Sequence, residues 1–166
     1  MIEENLKQKS AELLKHSPYG LVPCLVDGDK VLYESAVVNE YLEEEYPQTA
    51  LMPSDVFARA QVRIWTDYVT NKLASAGRAA RSAETPEAAT EARKTLNERL
   101  EYLNRHLSGG ESPWFVGGSY SLADANALPF VERVALLEDS PLGNYPAVAA
   151  WYTAATARHS YQATQD

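Results

Sequence analysis

The chain has a single cysteine, Cys24, which excludes an internal disulfide and any site built from several thiolates. Its three histidines, His16, His106 and His159, lie far apart without the spacing of a metal-ligand set, so no metal site and no hydrolytic triad emerges. Positive charge is scarce as well: 15 lysines and arginines stand against 23 acids, for a formal net charge of -8. Phosphate backbones repel such a chain unless it carries a local basic patch, and none is visible along the sequence, which argues against a nucleic-acid partner. No run approaches the roughly 20 apolar residues of a spanning helix. The start Met1-Ile2-Glu3-Glu4-Asn5 lacks the basic and apolar regions of a secretory signal. No membrane partner is expected, and the expected location is the cytoplasm. What remains is an ordinary globular composition, 45% apolar and 23% charged over 166 residues. That is enough chain to bury about 68 to 70% of its unfolded surface, in one large domain or two small ones.

The most informative run is Gly20-Leu21-Val22-Pro23-Cys24-Leu25-Val26-Asp27-Gly28-Asp29-Lys30-Val31-Leu32-Tyr33-Glu34-Ser35, which reads as strand, tight turn, strand and abrupt helix start. Two apolar, β-rich stretches flank an Asp-Gly-Asp turn, so residues 21–26 and 31–33 are expected to pair antiparallel. Pro23 cannot donate to a ladder and marks an edge, a bulge or a break. With a cis Val22-Pro23 bond, the Val22 N–H and C=O would point away from the sheet and be open to an extended peptide adding as a short strand. Glu34 and Ser35 would stand beside that strand. Ser35 opens an amphipathic run in which Val38, Tyr41, Leu42 and Tyr46 recur at helical spacing, and it is the expected N-cap. A helix amino end favours an anionic group. The Ser35 hydroxyl adds a donor, and a hydrogen bond to a charged group contributes roughly 1.5 to 3 kcal/mol. With Glu34 available for an ammonium group, the pair suits the amino-acid end of a ligand. Each feature alone is common in structural settings; their joint order points to a site.

After Pro47 strand patterns give way to long helical periods, with a boundary near residues 51–54. Ser54-Asp55 caps a helix carrying Phe57, Val62, Ile64, Trp65, Tyr68, Val69 and Leu73 toward a stop at Gly77, and residues 78–84 are expected to form a polar, mobile connection. Thr85-Pro86-Glu87 starts the next helix, with Pro86 at its first position, and Ser108-Gly109-Gly110 ends it. In Gly117-Gly118-Ser119-Tyr120-Ser121-Leu122-Ala123-Asp124, Ser121 and Asp124 stand at the positions of a capping box, Asp replacing the usual Glu or Gln. Their expected role is structural.

At Val22-Pro23 and Glu34-Ser35 the sequence resembles the cytosolic glutathione transferases, whose thioredoxin-like domain carries Val-Pro on its third strand and a Glu/Gln-Ser pair before its third helix. The stretch from Asn5-Leu6-Lys7-Gln8-Lys9 through Ser17-Pro18-Tyr19-Gly20 looks closest to the omega class. Ser121-Leu122-Ala123-Asp124, followed by Pro129-Phe130 and Arg133, resembles the capping box of the central helix in that family's all-helical domain. Trp151-Tyr152 and Arg158-His159-Ser160-Tyr161-Gln162 are similar to its closing helix and tail. The resemblance implies an incomplete thioredoxin-like domain over residues 1–50, retaining the third and fourth strands and third helix, and an all-α domain over residues 54–166. It implies glutathione as substrate or ligand, with Val22, beside Pro23, pairing with the cysteinyl backbone. Glu34 and Ser35 would take the γ-glutamyl end and Lys9 would approach the glycyl carboxylate, although Lys9 reads equally well as a solvated helix charge. Phe57, Trp65 and Tyr68 are candidates to line a pocket for a small hydrophobic electrophile, or else core residues.

In that family the residue that activates the glutathione thiol follows the first strand, whereas this chain opens near the end of the second; no catalytic residue is therefore assigned. Tyr19 and Tyr33 fit turn and packing positions. The chain is expected to be N-terminally truncated relative to the family, leaving an unpaired edge on residues 21–26. A second copy in a homodimer, a separate strand-bearing fragment or a rearranged segment 1–5 would cover it. The implied function is a glutathione-binding homologue that transfers glutathione to an electrophile, or exchanges thiols, once the first βα unit is supplied. The alternative is a noncatalytic binding or assembly module. A third reading makes Cys24 redox-active through a mixed disulfide, against its simpler role as a small buried hydrophobe.

Overall fold

A two-residue turn, Gly28-Asp29, joins β1 (Cys24–Asp27) to β2 (Lys30–Tyr33) in the computed structural model, which describes residues 2–165. Gly28 has φ +59 and is the turn's one residue with positive φ, the pattern of a II′ hairpin that matches the twist of the strands. Pairing is antiparallel from Cys24↔Tyr33 to Asp27↔Lys30. The first strand is shorter than its apolar pattern suggests. Residues 21–23 lie outside the ladder, as expected where Pro23 has no N–H to give it. Among the described residues this hairpin is the whole sheet, and residues 2–5 add no strand to it. Met1, the rest of the expected 1–5 cover, lies outside the described residues.

Before the hairpin, α1 (Ala11–His16) is capped by Ser10, whose side chain accepts the Leu13 N–H at 3.0 Å while its hydroxyl donates to Glu4 at 2.5 Å. After it, α2 (Ser35–Glu45) is fastened to the hairpin through Tyr41, which donates to Asp27 Oδ2 at 2.6 Å and accepts from Lys30 Nζ at 2.9 Å. These elements form one unit, Met1–Ala50; the remaining helices form a second, Leu51–Asp166.

The second unit is helical throughout: α3 (Val56–Asp67), a π-helical stretch Tyr68–Leu73, α4 (Ala74–Ser82), α5 (Pro86–Ser108), α6 (Leu122–Ala135), α7 (Pro146–Thr156) and α8 (His159–Gln162). Asp55 caps α3, accepting the Ala58 N–H at 2.7 Å, and Thr85 caps α5 ahead of Pro86. The helix runs past Gly77 to Ser82, because the π-helical stretch leads α3 into α4 and Gly77 serves packing rather than termination. A Cβ there would lie 3.3 Å from Val134 Cγ2 on α6. The connection expected over residues 78–84 shrinks accordingly to residues 83–85. Leu73, Leu96, Leu100, Leu103, Val131 and Trp151 are fully buried in the core between these helices. Each such side chain contributes about 1.5 to 3 kcal/mol by leaving water.

At the start of α6, Asp124 is completely buried and holds three segments together. Its Oδ2 accepts the Ser121 N–H and the Ser121 hydroxyl, each at 2.8 Å, in the capping box; Oδ1 accepts the Phe115 N–H at 3.1 Å and the Trp151 indole N–H at 2.8 Å. Burial pushes this carboxyl above its ordinary value, against the opposing pull of those donors. Among the described residues, no helix is long and apolar enough to cross a membrane.

Candidate functional site

The last ladder pair, Cys24↔Tyr33, sends two segments out of the same end of the hairpin: Val22-Pro23 going back along the chain and Glu34-Ser35 going forward. The Val22-Pro23 peptide is cis, and Val22 is about half exposed, at 46%. Among the described residues, no hydrogen bond engages the Val22 backbone N–H or C=O.

Glu34 is the one non-glycine residue with positive φ among the described residues, at φ 71 and ψ 108. Such a conformation costs on the order of 1 to 3 kcal/mol and persists where surrounding structure enforces it. Here the enforcement comes from both sides, the ladder ending at Tyr33 and the Glu34 carbonyl accepting the Val38 N–H at 2.9 Å. Glu34, not Ser35, therefore occupies the N-cap position, and it makes no side-chain cap. Ser35 is the first residue of α2, so its hydroxyl is not used for capping and the helix's leading N–H groups are left for water or a ligand.

The loop before Val22 is built by residues that the sequence pattern does not single out. Ser17 is fully buried: its hydroxyl donates to the Leu21 carbonyl at 3.1 Å and accepts the Leu21 N–H at 3.0 Å, while its carbonyl accepts the Gly20 N–H at 2.8 Å. Gly20 has φ +59, and a Cβ on it would come within 2.9 Å of Lys9 Cδ and 3.1 Å of Lys9 Nζ. The exposed Lys9 side chain thus lies across Gly20, two residues from Val22. Tyr19 meets Tyr33 edge to face at 5.9 Å, which gives both rings a packing role. Val22, Pro23, Glu34 and Ser35 thus flank one end of the hairpin, while Lys9 is placed against Gly20. The only signals for Ser17 and Gly20 in the sequence were their places in the Ser-Pro-Tyr-Gly loop; a buried hydroxyl that closes a backbone turn has no periodicity. Cys24 begins β1 and is partly buried.

The three aromatic candidates of the helical unit part company. Trp65 is buried, stacked on His106 with ring centroids 3.8 Å apart and edge to face with Phe115 at 5.5 Å. Tyr68 meets Trp65 at 5.4 Å and donates to the Arg99 carbonyl at 2.8 Å; burial raises its phenol to about 12, so it is a donor at neutral pH. Phe57 lies apart from that cluster and is 72% exposed. His106, which sequence spacing set aside, fixes this cluster, with its Nε2 hydrogen-bonded to the Phe115 carbonyl at 2.8 Å.

Comparison with known proteins bears on both units. A family model for the glutathione S-transferase C-terminal domain matches residues 38–159, and one for the N-terminal domain of the same enzymes matches residues 1–45. The chain belongs to the glutathione S-transferase family. Its architecture is that family's: a thioredoxin-like N-terminal domain, here with two strands, followed by an all-helical C-terminal domain. A probable glutathione S-transferase from Nicotiana tabacum, parA, is 35% identical over 77% of this chain and 58% of its own length. The chain thus spans less than two thirds of that relative. Among glutathione transferases of known structure, Omega 3C from Trametes versicolor superposes with a TM-score of 0.82 at 30% identity, covering 96% of this chain and 74% of that one. A rice glutathione S-transferase solved in complex with glutathione gives 0.84 at 27% identity, covering 96% and 75%.

Proposed function

We propose that the end of the hairpin formed by Val22-Pro23 and Glu34-Ser35 is a glutathione-binding ledge. The observation that carries this reading is the enforced positive φ of Glu34 at the uncapped amino end of α2, on the same end of the hairpin as the unpaired Val22 backbone. An extended tripeptide pairs its cysteinyl N–H and C=O with those of Val22, as a strand adds to an edge. Its γ-glutamyl carboxylate meets the Ser35 hydroxyl and the leading N–H groups of α2, its ammonium group meets Glu34, and Lys9 neutralises the glycyl carboxylate. Family membership supports glutathione as the ligand, and Lys9 beside Gly20 supports an omega-like subclass.

Transfer of glutathione to a small hydrophobic electrophile, or thiol exchange, requires in addition a residue that stabilises the thiolate. Tyr19 and Tyr33 pack edge to face and are given no such role; a βα segment beside β1 would supply it. The acceptor contacts are proposed at Phe57, Trp65 and Tyr68, with Phe57 the most accessible of the three. A noncatalytic binding or assembly module is the second reading. In either case the protein acts in the cytoplasm, as a homodimer or a strand-complemented assembly.

Isothermal titration with glutathione tests the ledge: saturable binding is expected, and its absence overturns the reading. Ser35→Ala should weaken binding by roughly 1 to 3 kcal/mol while leaving the thermal midpoint nearly unchanged. A fall in stability with unaltered affinity would instead make Ser35 purely structural.

A further inference from the structure

Ser17 is fully buried ahead of the ledge, and none of the contacts proposed for glutathione uses it. Its backbone closes two turns: its N–H donates to the Leu13 carbonyl at 2.7 Å, at the end of α1, and its carbonyl accepts the Gly20 N–H at 2.8 Å. Those are main-chain bonds and do not require serine. What serine adds is the hydroxyl, which donates to the Leu21 carbonyl at 3.1 Å and accepts the Leu21 N–H at 3.0 Å. One oxygen thereby holds both peptide groups that flank the Leu21 Cα.

The consequence falls on Val22. The Leu21 carbonyl and the Val22 N–H belong to the same peptide group, which is planar and trans, so they point in opposite directions. With the carbonyl fixed on Ser17, the N–H is turned away from it, and among the described residues no group receives it. The neighbouring donors are already engaged: the Gly20 and Leu21 N–H groups go to Ser17, and Pro23 has none. The stretch 20–23 therefore offers one backbone donor in one direction. We infer that Ser17 is the positioning residue that aims the Val22 N–H and fixes the register of the incoming peptide, restricting the ledge to ligands that pair through a single residue; this rests on the glutathione-binding reading of the ledge. Without the hydroxyl, the Leu21-Val22 peptide group is free to turn, and the released Leu21 N–H offers a second pairing register. Leu21 is 48% exposed, so water reaches its released groups and the loss falls on aim more than on stability.

Amide hydrogen exchange on the unaltered chain gives one test. The Leu21 amide should be protected before ligand is added, and saturating glutathione should slow exchange at Val22 about tenfold or more while leaving Leu21 as it was. An unprotected Leu21 amide, or a Val22 amide indifferent to bound glutathione, overturns the inference. Calorimetry gives the other, with glutathione and with a pentapeptide that extends it by two valines at its glycyl end. Ser17→Ala, shown to be folded by circular dichroism, should bind glutathione about five- to tenfold more weakly and the pentapeptide with a smaller loss, so that the preference for the shorter ligand narrows. Undiminished affinity in the folded variant, or an equal loss for both peptides, overturns the role of Ser17 and leaves the ledge standing. No glutathione binding by the unaltered chain overturns the ledge itself, and this inference with it.

Discussion

Glu34 carries opposed demands in one residue: its backbone sits where glycine is at ease, while its carboxylate is the group proposed to hold the ligand's ammonium. Glu34→Gly separates them. Relief of the positive φ should raise stability by about 1 kcal/mol in urea unfolding, while affinity for glutathione falls; a variant that loses both would show that the conformation is unstrained. Asp124 offers a pH-dependent counterpart. Its folded value lies above the ordinary 3.8, so between 3.8 and that raised value the folded chain keeps a proton that the unfolded chain releases. This group's contribution to stability therefore declines as pH rises through that window and is level below it. Asp124→Asn cannot titrate and turns an amide N–H₂ or C=O toward donors that need two acceptors. It should cost about 3 kcal/mol at neutral pH, with the gap to the unaltered protein widening toward acid, measured by thermal melts across pH.

Among elements, the hairpin and the long helices were legible in the sequence because they are written in local code: Asp-Gly turns, Pro at a first helical position, apolar residues at helical spacing. The pair Val22-Pro23 and Glu34-Ser35 was legible for the same reason, through order along the chain. What local code could not express was contact. Gly77 read as a stop signal because glycine is a poor helix former, yet its value lies in admitting Val134 of α6, which is 57 positions away and invisible to a window on α4. Ser35 read as a cap because serine favours that position, whereas the backbone bend falls one residue earlier, at Glu34. Gly77→Val should cost about 1 to 3 kcal/mol by overpacking. Combining it with Val134→Ala should recover part of that loss, a non-additivity readable in a double-mutant cycle.

For the whole molecule, the exposed hairpin sets the clearest expectation. A two-stranded sheet is marginal by itself, and an open edge invites another chain; Val26 of β1 is 54% exposed, and Leu21 and Val22, just ahead of the strand, are 48% and 46% exposed. Size-exclusion chromatography with light scattering should find a dimer or a complemented assembly, and Val26→Lys should shift it toward monomer. A monomer that does not aggregate, with β1 open to hydrogen exchange, would refute the covering of that edge.

The bond between Asp124 and Trp151 also has a direction in time. The ring that completes the buried amino end of α6 is made 27 residues after the carboxylate it serves. During synthesis from the amino terminus, α6 can coil with Ser121 and Phe115 already bonded to Asp124, but the fourth donor to that buried carboxylate and the Trp151 packing that covers it are missing until α7 emerges. A nascent chain stalled anywhere between Ser121 and Trp151 should therefore stay open to proteases, however much of its final helix content it has acquired.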